Sequence, residues 1–268
     1  MSRASDNNLT DAPFWDHYWK NIKLPCTVDQ GFSFDRCLSR TLLQRIGELS
    51  HAGESPGAAG RKSVLEIGAA PGKWLTMFPR ESFSVSGIEY SDAGLAALRK
   101  NMEMLSIEPG RLIHGDFFKV ETEAVFDIVM SLGFIEHFDD PLMVVERHLE
   151  WLRPGGILII GVPNFTGIHG FFQKHLDAGI LQAHNTRIMN KEWFVRLGQK
   201  PGLRTHSIEY LGSFEPALPL TNRGLGPKSF ALKAFLRLAG YVRRWKFFDS
   251  INSPLISSYI LGVYRKEG

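Results

Sequence analysis

A run of small residues follows the first hydrophobic strand pattern of the chain. The run is Gly68-Ala69-Ala70-Pro71-Gly72, directly after Val64-Leu65-Glu66-Ile67. Small residues at the carboxyl edge of a sheet let a ligand approach the backbone closely. A phosphate-binding dinucleotide loop would read G-x-G-x-x-G, whereas Ala70 and Lys73 occupy its second and third glycine positions. The pattern therefore favours a ligand that contains an adenosine and no phosphates.

Acidic residues end the next two strand patterns. Glu89 closes the second strand, and a carboxylate there can accept hydrogen bonds from both hydroxyls of a ribose. Asp116 and Phe117 follow the third strand, where an acid can accept from the amine of an adenine and an aromatic ring can cover the base. Each residue alone is also explained as an ordinary turn residue or surface acid. Four such features at one edge of a sheet favour a binding site.

Two histidines are candidates for acid–base chemistry. His137 lies in the segment that follows the fourth strand, and a histidine with a pKa near neutrality can accept a proton from a hydroxyl group. His184, in the stretch after the fifth strand, is the second candidate, and His169 and His175 in the same stretch are weaker ones. The alternative for His137 and its neighbour Glu136 is that they cap or pin the following helix.

These residues need a sheet whose strands end at one edge. Short β-rich runs alternate with helical patterns from about residue 63 to residue 165, which is typical of an α/β fold. Helices are predicted directly after the glycine-rich loop, after an N-cap at Asp92, from Pro141 to Leu152, where Pro154-Gly155-Gly156 ends the helix, and from Lys191. The predicted strands are Ser63–Ile67, Ser84–Ile88, Arg111–His114, Phe126–Met130, Ile157–Val162, Ser207–Leu211 and Ser257–Tyr264.

The loop at Gly68, the acids Glu89 and Asp116, and the segment Leu152–Ile159 resemble, in this order, the class I S-adenosylmethionine-dependent methyltransferases over about residues 60 to 165. The family usually has a second glycine where Ala70-Pro71 stand. The resemblance implies a Rossmann-like methyltransferase fold, a mainly parallel seven-stranded sheet with helices on both faces. It implies S-adenosyl-L-methionine as the cofactor. The predicted cofactor-binding residues are Glu66, Gly68, Ala69, Gly72, Glu89, Tyr90, Asp116, Phe117, Ser131 and Leu132.

The domain organisation follows from the same resemblance. Residues 1–50 are predicted to form an N-terminal helical cap, because Phe14, Trp15, Tyr18 and Trp19 make one aromatic helix face. Such a face either covers the cofactor or packs in an ordinary core. His51–Gly60 is interpreted as a linker, and residues 60–268 as the methyltransferase domain with acceptor-binding insertions at about 164–190 and 212–250.

A metal ion is not expected. Methyltransferases that act on small-RNA ends and on catechol-type quinone precursors resemble this chain in a Glu-x-x-Glu-His segment that helps to hold a divalent metal. Here Gly133 stands in place of the first glutamate, and Glu136, His137 and a distant His184 make an incomplete set of ligands.

Composition limits the partners. The formal net charge is +3, from 31 basic and 28 acidic residues, which is too small to indicate nucleic acid as a partner. Cys26 and Cys37 are predicted to be free thiols, and no signal peptide or membrane span is evident, so a cytoplasmic protein is expected. The basic, aromatic C-terminal stretch indicates either a solvated face or peripheral contact with an anionic membrane. Its residues include Arg223, Lys228, Lys233, Arg237, Arg243, Arg244, Lys246, Phe230, Phe235, Leu236, Tyr241, Trp245, Phe247 and Phe248.

The expected reaction is O-methylation of a sugar or another small hydroxylated acceptor, because the pattern resembles methyltransferases of polysaccharide and natural-product pathways. One alternative is a nucleic-acid or protein methyltransferase, although the chain shows no appended RNA-binding module and no Asn-Pro-Pro-Tyr-type motif. A second alternative is a partner protein that binds S-adenosylmethionine without catalysis.

Overall fold

A computed structural model describes residues 8–51, 60–176, 178–212, 215, 238, 241 and 243–268. Most of the predicted linker and the basic residues Arg223, Lys228, Lys233 and Arg237 lie outside the described residues. The helices are α1 Ala12–Trp19, α2 Ser33–His51, α3 Asp92–Met104, α4 Pro141–Trp151, α5 Ile168–Leu176, α6 Ala178–Gln182 and α7 Lys191–Leu197. The strands are β1 Lys62–Ile67, β2 Phe83–Glu89, β3 Leu112–His114, β4 Phe126–Leu132, β5 Leu152–Pro163, β6 Leu203–Leu211 and β7 Tyr259–Lys266.

The strands form one seven-stranded sheet in the order β3-β2-β1-β4-β5-β7-β6. β1 to β5 run parallel, and β7 is antiparallel to both β5 and β6. The carboxyl ends of β1 to β4 therefore meet at one edge, as the predicted site requires. The predicted fold class is confirmed.

Apolar side chains cover both faces of the sheet, because alternate strand residues point to opposite sides. Leu65, Val129 and Leu158 pack with the buried residues of α4 and α7 on one face. Val64 and Ile128 pack with α2 and α3 on the other face. A parallel sheet with helices on both sides buries its central strands almost completely.

Three local predictions differ from the structure. Ser91, rather than Asp92, caps α3, since its hydroxyl accepts from the backbone N–H of Gly94. The helix expected after the glycine-rich loop is only a short 3-10 helix, Trp74–Met77, because Phe78 precedes a proline and adopts an extended conformation. Leu152 to Gly156 do not form a turn but the start of β5, and a register irregularity in its pairing with β4 accommodates them.

Helix α2, which falls in the predicted cap, is a layer of the main fold. Leu38, Leu42 and Ile46 are buried in the same cluster as side chains of β1, β2 and β4. Helix α1 contributes no side chain to either apolar cluster, and it has no buried residue. Among the described residues, no helix combines the length and the apolar character that crossing a bilayer requires.

Candidate active site

The glycine-rich loop folds tightly against the end of β2. The backbone N–H groups of Gly68 and Ala69 both donate to the carbonyl of Ile88, at 3.0 and 3.1 Å. Gly68 has φ +69°, and a Cβ atom there would lie 2.7 Å from the ring of Phe134. Glycine is therefore required for its backbone conformation and for the close approach of that ring.

Glu89 is buried at the end of β2, with only 5% of its surface exposed. Its Oε1 accepts from the backbone N–H groups of Tyr90 and Ser91, and its Oε2 accepts from Ala70 at 3.2 Å. The carboxylate thus joins the glycine-rich loop to the loop after β2, which an ordinary surface acid does not do. A carboxylate offers about four acceptor positions. Three are used here, so one position remains for a ligand hydroxyl instead of the two that the sequence predicts.

Lys73, which replaces the last glycine of the dinucleotide pattern, points towards α2. Its Nζ lies 2.6 Å from Oδ1 of the buried Asp35 and 4.8 Å from the ring centroid of Trp74. The lysine therefore anchors the far end of the loop to α2. This contact explains a long side chain at a position where a phosphate-binding loop needs glycine.

Two buried polar atoms at the ends of β1 and β4 have no hydrogen-bond partner among the described residues. Oε2 of Glu66 and Oγ of Ser131 are buried and make no hydrogen bond within the described part of the chain. Burial and the nearby Glu89 raise the pKa of Glu66 well above its ordinary value. Buried polar atoms without partners are costly in a native protein, so such atoms mark a place where a ligand can complete the bonding.

The end of β3 contributes less to this edge than the sequence predicts. Asp116 accepts from the backbone N–H of Phe118 and pairs with Lys119 at 3.0 Å. Phe117 is buried, and its ring packs against Phe134 and His148 in the apolar core. The structure therefore places Phe117 in the core, because an aromatic residue after a strand end suits packing as well as it suits a ligand base. Tyr90 is exposed, and Leu132 is half-buried.

Three side chains that can bind a proton or a metal ion meet at the end of β4. A short 3-10 helix, Ile135–His137, carries Glu136 and His137, whose Oε1 and Nε2 atoms are 4.0 Å apart. The ring of His184 lies with its centroid 4.5 Å from that of His137. One ligand atom from each of the three residues lies within 4.8 Å of the others. His184, which is distant from this pair in the sequence, therefore lies beside it in the fold.

The environment fixes the protonation of this cluster. Nδ1 of His137 lies 2.7 Å from the carbonyl oxygen of Ala183, and a carbonyl only accepts, so Nδ1 carries the hydrogen and Nε2 keeps its lone pair. Burial, reinforced by His184, lowers the pKa of His137 to about 3. Burial raises the pKa of Glu136 to about 8. At neutral pH, His137 is neutral and Glu136 is mainly protonated.

Helix capping does not explain the position of Glu136 and His137. Asp140 caps α4 by accepting from two backbone N–H groups of the first turn. The carbonyl of Glu136 instead accepts from the backbone N–H of Asn185 at 2.6 Å, which fastens the segment after α6 over the site. The weaker histidine candidates lie elsewhere: His169 accepts from the backbone N–H of Glu215, and His175 is exposed.

Sequence reasoning missed Tyr259. This residue begins β7 opposite Pro163, at the carboxyl end of β5, and its hydroxyl would lie 4.0 Å from a Cβ atom on Gly133. Burial, together with the charges of Glu136 and Glu66, raises the pKa of its hydroxyl well above the ordinary value. The sequence feature that could have identified Tyr259 is its place near the start of the last strand.

Helix α1 crosses the same edge of the sheet. The carbonyl of His137 accepts from the backbone N–H of Leu9, and Asp16 accepts from the backbone N–H of Ala93 at the start of α3. The two ends of this segment are thus held at β4 and β2, so α1 lies across the carboxyl ends of the strands.

A model of the methyltransferase domain family matches residues 34–206. The chain belongs to this methyltransferase family. The matched segment includes α2, the glycine-rich loop, Glu89 and the Glu136–His137–His184 cluster. The family assignment confirms the predicted methyltransferase and its cofactor, S-adenosylmethionine.

Curated relatives are similar to about two fifths of this methyltransferase. It is 29% identical over 110 residues to a ubiquinone biosynthesis O-methyltransferase of Actinobacillus pleuropneumoniae, covering 39% of this chain and 47% of the relative. The protein of the same name from Pseudomonas aeruginosa is 31% identical over 116 residues, covering 41% and 48%. The aligned region thus spans about half the length of these relatives.

Solved structures show the same fold. An S-adenosylmethionine-dependent methyltransferase from Archaeoglobus fulgidus has a TM-score of 0.53 at 15% identity, with 86% of this chain and 94% of that chain covered. The plantazolicin methyltransferase in complex with S-adenosylhomocysteine has a TM-score of 0.52 at 14% identity, covering 88% and 85%.

Proposed function

We propose that this chain transfers the methyl group of S-adenosylmethionine to a hydroxyl group of a sugar or another small hydroxylated acceptor. The observation that carries the proposal is the convergence of His137, Glu136 and His184 at the end of β4, beside the buried polar atoms of Glu66 and Ser131. The names of the ubiquinone biosynthesis O-methyltransferases support oxygen as the methylated atom.

The glycine-rich edge is proposed to hold the cofactor. Gly68 and Ala69 present backbone without large side chains, and Glu89 offers its remaining acceptor position to a ribose hydroxyl. Ser131 and Glu66 supply further hydrogen-bonding groups at the ends of β4 and β1. S-adenosylmethionine supplies an electrophilic methyl carbon, and alignment with the acceptor is a large part of the catalysis.

His137 is proposed to position the acceptor. Its neutral Nε2 can accept a hydrogen bond from the acceptor hydroxyl, but with a pKa of about 3 it holds a transferred proton poorly. Glu136 has a pKa of about 8, close to the working pH, so its ionised form is the better proton acceptor. The proposal thereby reassigns the base from His137 to the carboxylate of Glu136. This carboxylate would take the hydroxyl proton as the new carbon–oxygen bond forms and the bond between the methyl carbon and the cofactor sulfur breaks.

A second candidate role of the same cluster is to hold a divalent cation. The donor set contains one carboxylate and two imidazoles, and Oε2 of Glu136 has no hydrogen-bond partner within the described residues. Such a cation would stabilise the developing charge on the acceptor oxygen. Gly133 still leaves this set one carboxylate short, so the reaction without a metal is the first proposal.

The proposal is tested in two steps. Calorimetric titration should show binding of S-adenosylmethionine, and a methyl-release assay should then show turnover with a panel of sugars and phenols. Binding without turnover on any acceptor favours a non-catalytic partner protein. Turnover confined to nucleic acid or protein substrates favours the alternative class, and absence of binding contradicts all of these functions.

A further inference from the structure

A short basic and aromatic segment is exposed near the C-terminus. Trp245 is 58% exposed and Phe247 is 70% exposed, and the side chains beside them, Arg244 and Lys246, are also exposed. Large aromatic side chains rarely stay in water when packing is available to them. Four consecutive exposed residues that alternate positive charge and aromatic surface are typical of a contact site.

The main fold holds this segment in place. Asp249, two residues after it, accepts from the hydroxyl of Ser33 and pairs with Arg36, at 2.7 Å in each case. The carbonyl of Arg243, immediately before it, accepts from the backbone N–H of Ser33 at 2.7 Å. Both flanks are thus attached to the start of α2, and the side chains of residues 244–247 are displayed on a fixed backbone. A preorganised surface loses less entropy when it binds a partner.

The segment contains two basic residues, Arg244 and Lys246, and no acidic residue. The guanidinium of Arg244 lies 4.8 Å from the ring centroid of Phe32 and near the carboxylate of Asp29. Asp249 and Glu215, two carboxylates that contact its flanks, are each engaged by an arginine, Arg36 and Arg243. Between Glu215 and Asp249 the sequence contains no aspartate or glutamate. Its basic residues in that interval are Arg223, Lys228, Lys233, Arg237, Arg243, Arg244 and Lys246. The complementary partner is therefore anionic and offers an apolar layer to the aromatic rings.

We propose that residues 244–247 dock on the surface of an anionic phospholipid membrane. Tryptophan and phenylalanine reside at the boundary between head groups and acyl chains, and arginine and lysine reach lipid phosphates. Phe34, next to Ser33, meets the rings of Trp74 and Tyr259 edge-on, so the docked segment is connected through α2 to the reaction edge. Docking goes beyond the proposed methyl transfer and does not depend on it.

Vesicle flotation with the full chain tests the proposal. The protein should float with vesicles that mix phosphatidylcholine and phosphatidylglycerol, and not with phosphatidylcholine alone, and salt should weaken binding. Trp245→Ser combined with Lys246→Ser should lower the association constant at least about fivefold, since each basic residue near an anionic surface contributes about this factor. Trp245→Phe should retain most of the binding.

The matched control is Val195→Ser combined with Arg196→Ser on α7, where a 47% exposed apolar residue also adjoins an exposed arginine. This variant should bind vesicles like the unmodified protein. Cofactor affinity and thermal unfolding, measured on both double variants, show whether each remains folded. If the first double variant unfolds, Arg244→Glu combined with Lys246→Glu is tested in its place. This variant should not float with the vesicles. Equal binding to neutral vesicles, equal loss in the control, or tight RNA binding without vesicle binding would overturn the proposal.

Discussion

The indole ring of Trp15 meets the imidazole of His137 edge-on, with the ring centroids 4.9 Å apart. This contact joins α1 to the end of β4 and restricts the rotation of the histidine. If His137 positions the acceptor, losing the indole leaves the imidazole less well oriented. Small misplacements of a positioning group are costly in rate.

Trp15→Ala should therefore lower turnover by roughly tenfold and leave cofactor affinity nearly unchanged. Trp15→Phe should recover much of the rate, because a ring remains beside His137. His17→Ala, an exposed position of the same helix, serves as the control. Steady-state kinetics in acceptor and cofactor separate the two effects, and equal rates for Trp15→Ala and the unmodified protein would remove α1 from the acceptor site.

Glu89→Gln should weaken S-adenosylmethionine binding by about tenfold or more, because the amide loses the charge that strengthens a ribose hydrogen bond. Glutamine is preferable to alanine at this position, because the carboxylate of Glu89 also accepts hydrogen bonds from three backbone N–H groups and these bonds shape the loop. Calorimetry measures the affinity, and thermal unfolding reports on the loop. Glu108→Gln, at an exposed carboxylate, is the control. Unaltered affinity in a folded Glu89→Gln protein would refute the ribose assignment.

The ends of the parallel strands can be placed from the sequence, whereas the contact between His184 and His137 cannot. Strand ends are visible in the sequence as local apolar runs, and parallel strands bring their carboxyl ends to one edge, so Gly68, Glu89 and His137 could be placed together. The proximity of His184 and His137 depends on the path of α5 and α6, which no local pattern encodes. Tyr259 enters the site on the antiparallel β7, whose place in the sheet depends on long-range pairing.

Burial of Glu136 should make stability depend on pH. Its pKa is about 8 in the folded chain, against an ordinary value of 4.5, so the folded state retains a proton that the unfolded state has released. Glu136 should therefore contribute a fall in the free energy of unfolding as pH rises from about 4.5 to 8, equivalent to at most about a tenfold rise in the unfolding constant per pH unit. The lowered pKa of His137 contributes in the opposite direction up to about pH 6.5, so the contribution of Glu136 is the difference between the unmodified protein and Glu136→Gln. Urea unfolding at several pH values should give a less negative slope of the free energy of unfolding against pH in Glu136→Gln than in the unmodified protein. Glu108→Gln should keep the slope of the unmodified protein. Identical slopes in all three proteins would contradict the raised pKa assigned to Glu136.

The same group should shape the pH profile of catalysis. If ionised Glu136 accepts the proton, kcat should rise with pH towards a limit with an apparent pKa near 8. Glu136→Gln should lose that rise together with most of the activity. His137→Gln should lower the rate while keeping the pH dependence, since the imidazole stays neutral throughout this range. A profile that shifts with His137 and not with Glu136 would return the base to the histidine.

Chelation distinguishes proton transfer from cation assistance at the cluster of Glu136, His137 and His184. Turnover should survive dialysis against EDTA, because Gly133 leaves the set without a second carboxylate for a hard cation. Calorimetric titration with Mg²⁺ and with Mn²⁺ gives a readout that is independent of activity, and His184→Ala is the variant to compare. The cluster would be assigned to a metal by three results together. Turnover would be lost on chelation and recovered with either ion, and ion binding would disappear in His184→Ala. Glu136 would then act as a ligand rather than a base, and its pH profile would follow metal binding, which requires the deprotonated carboxylate.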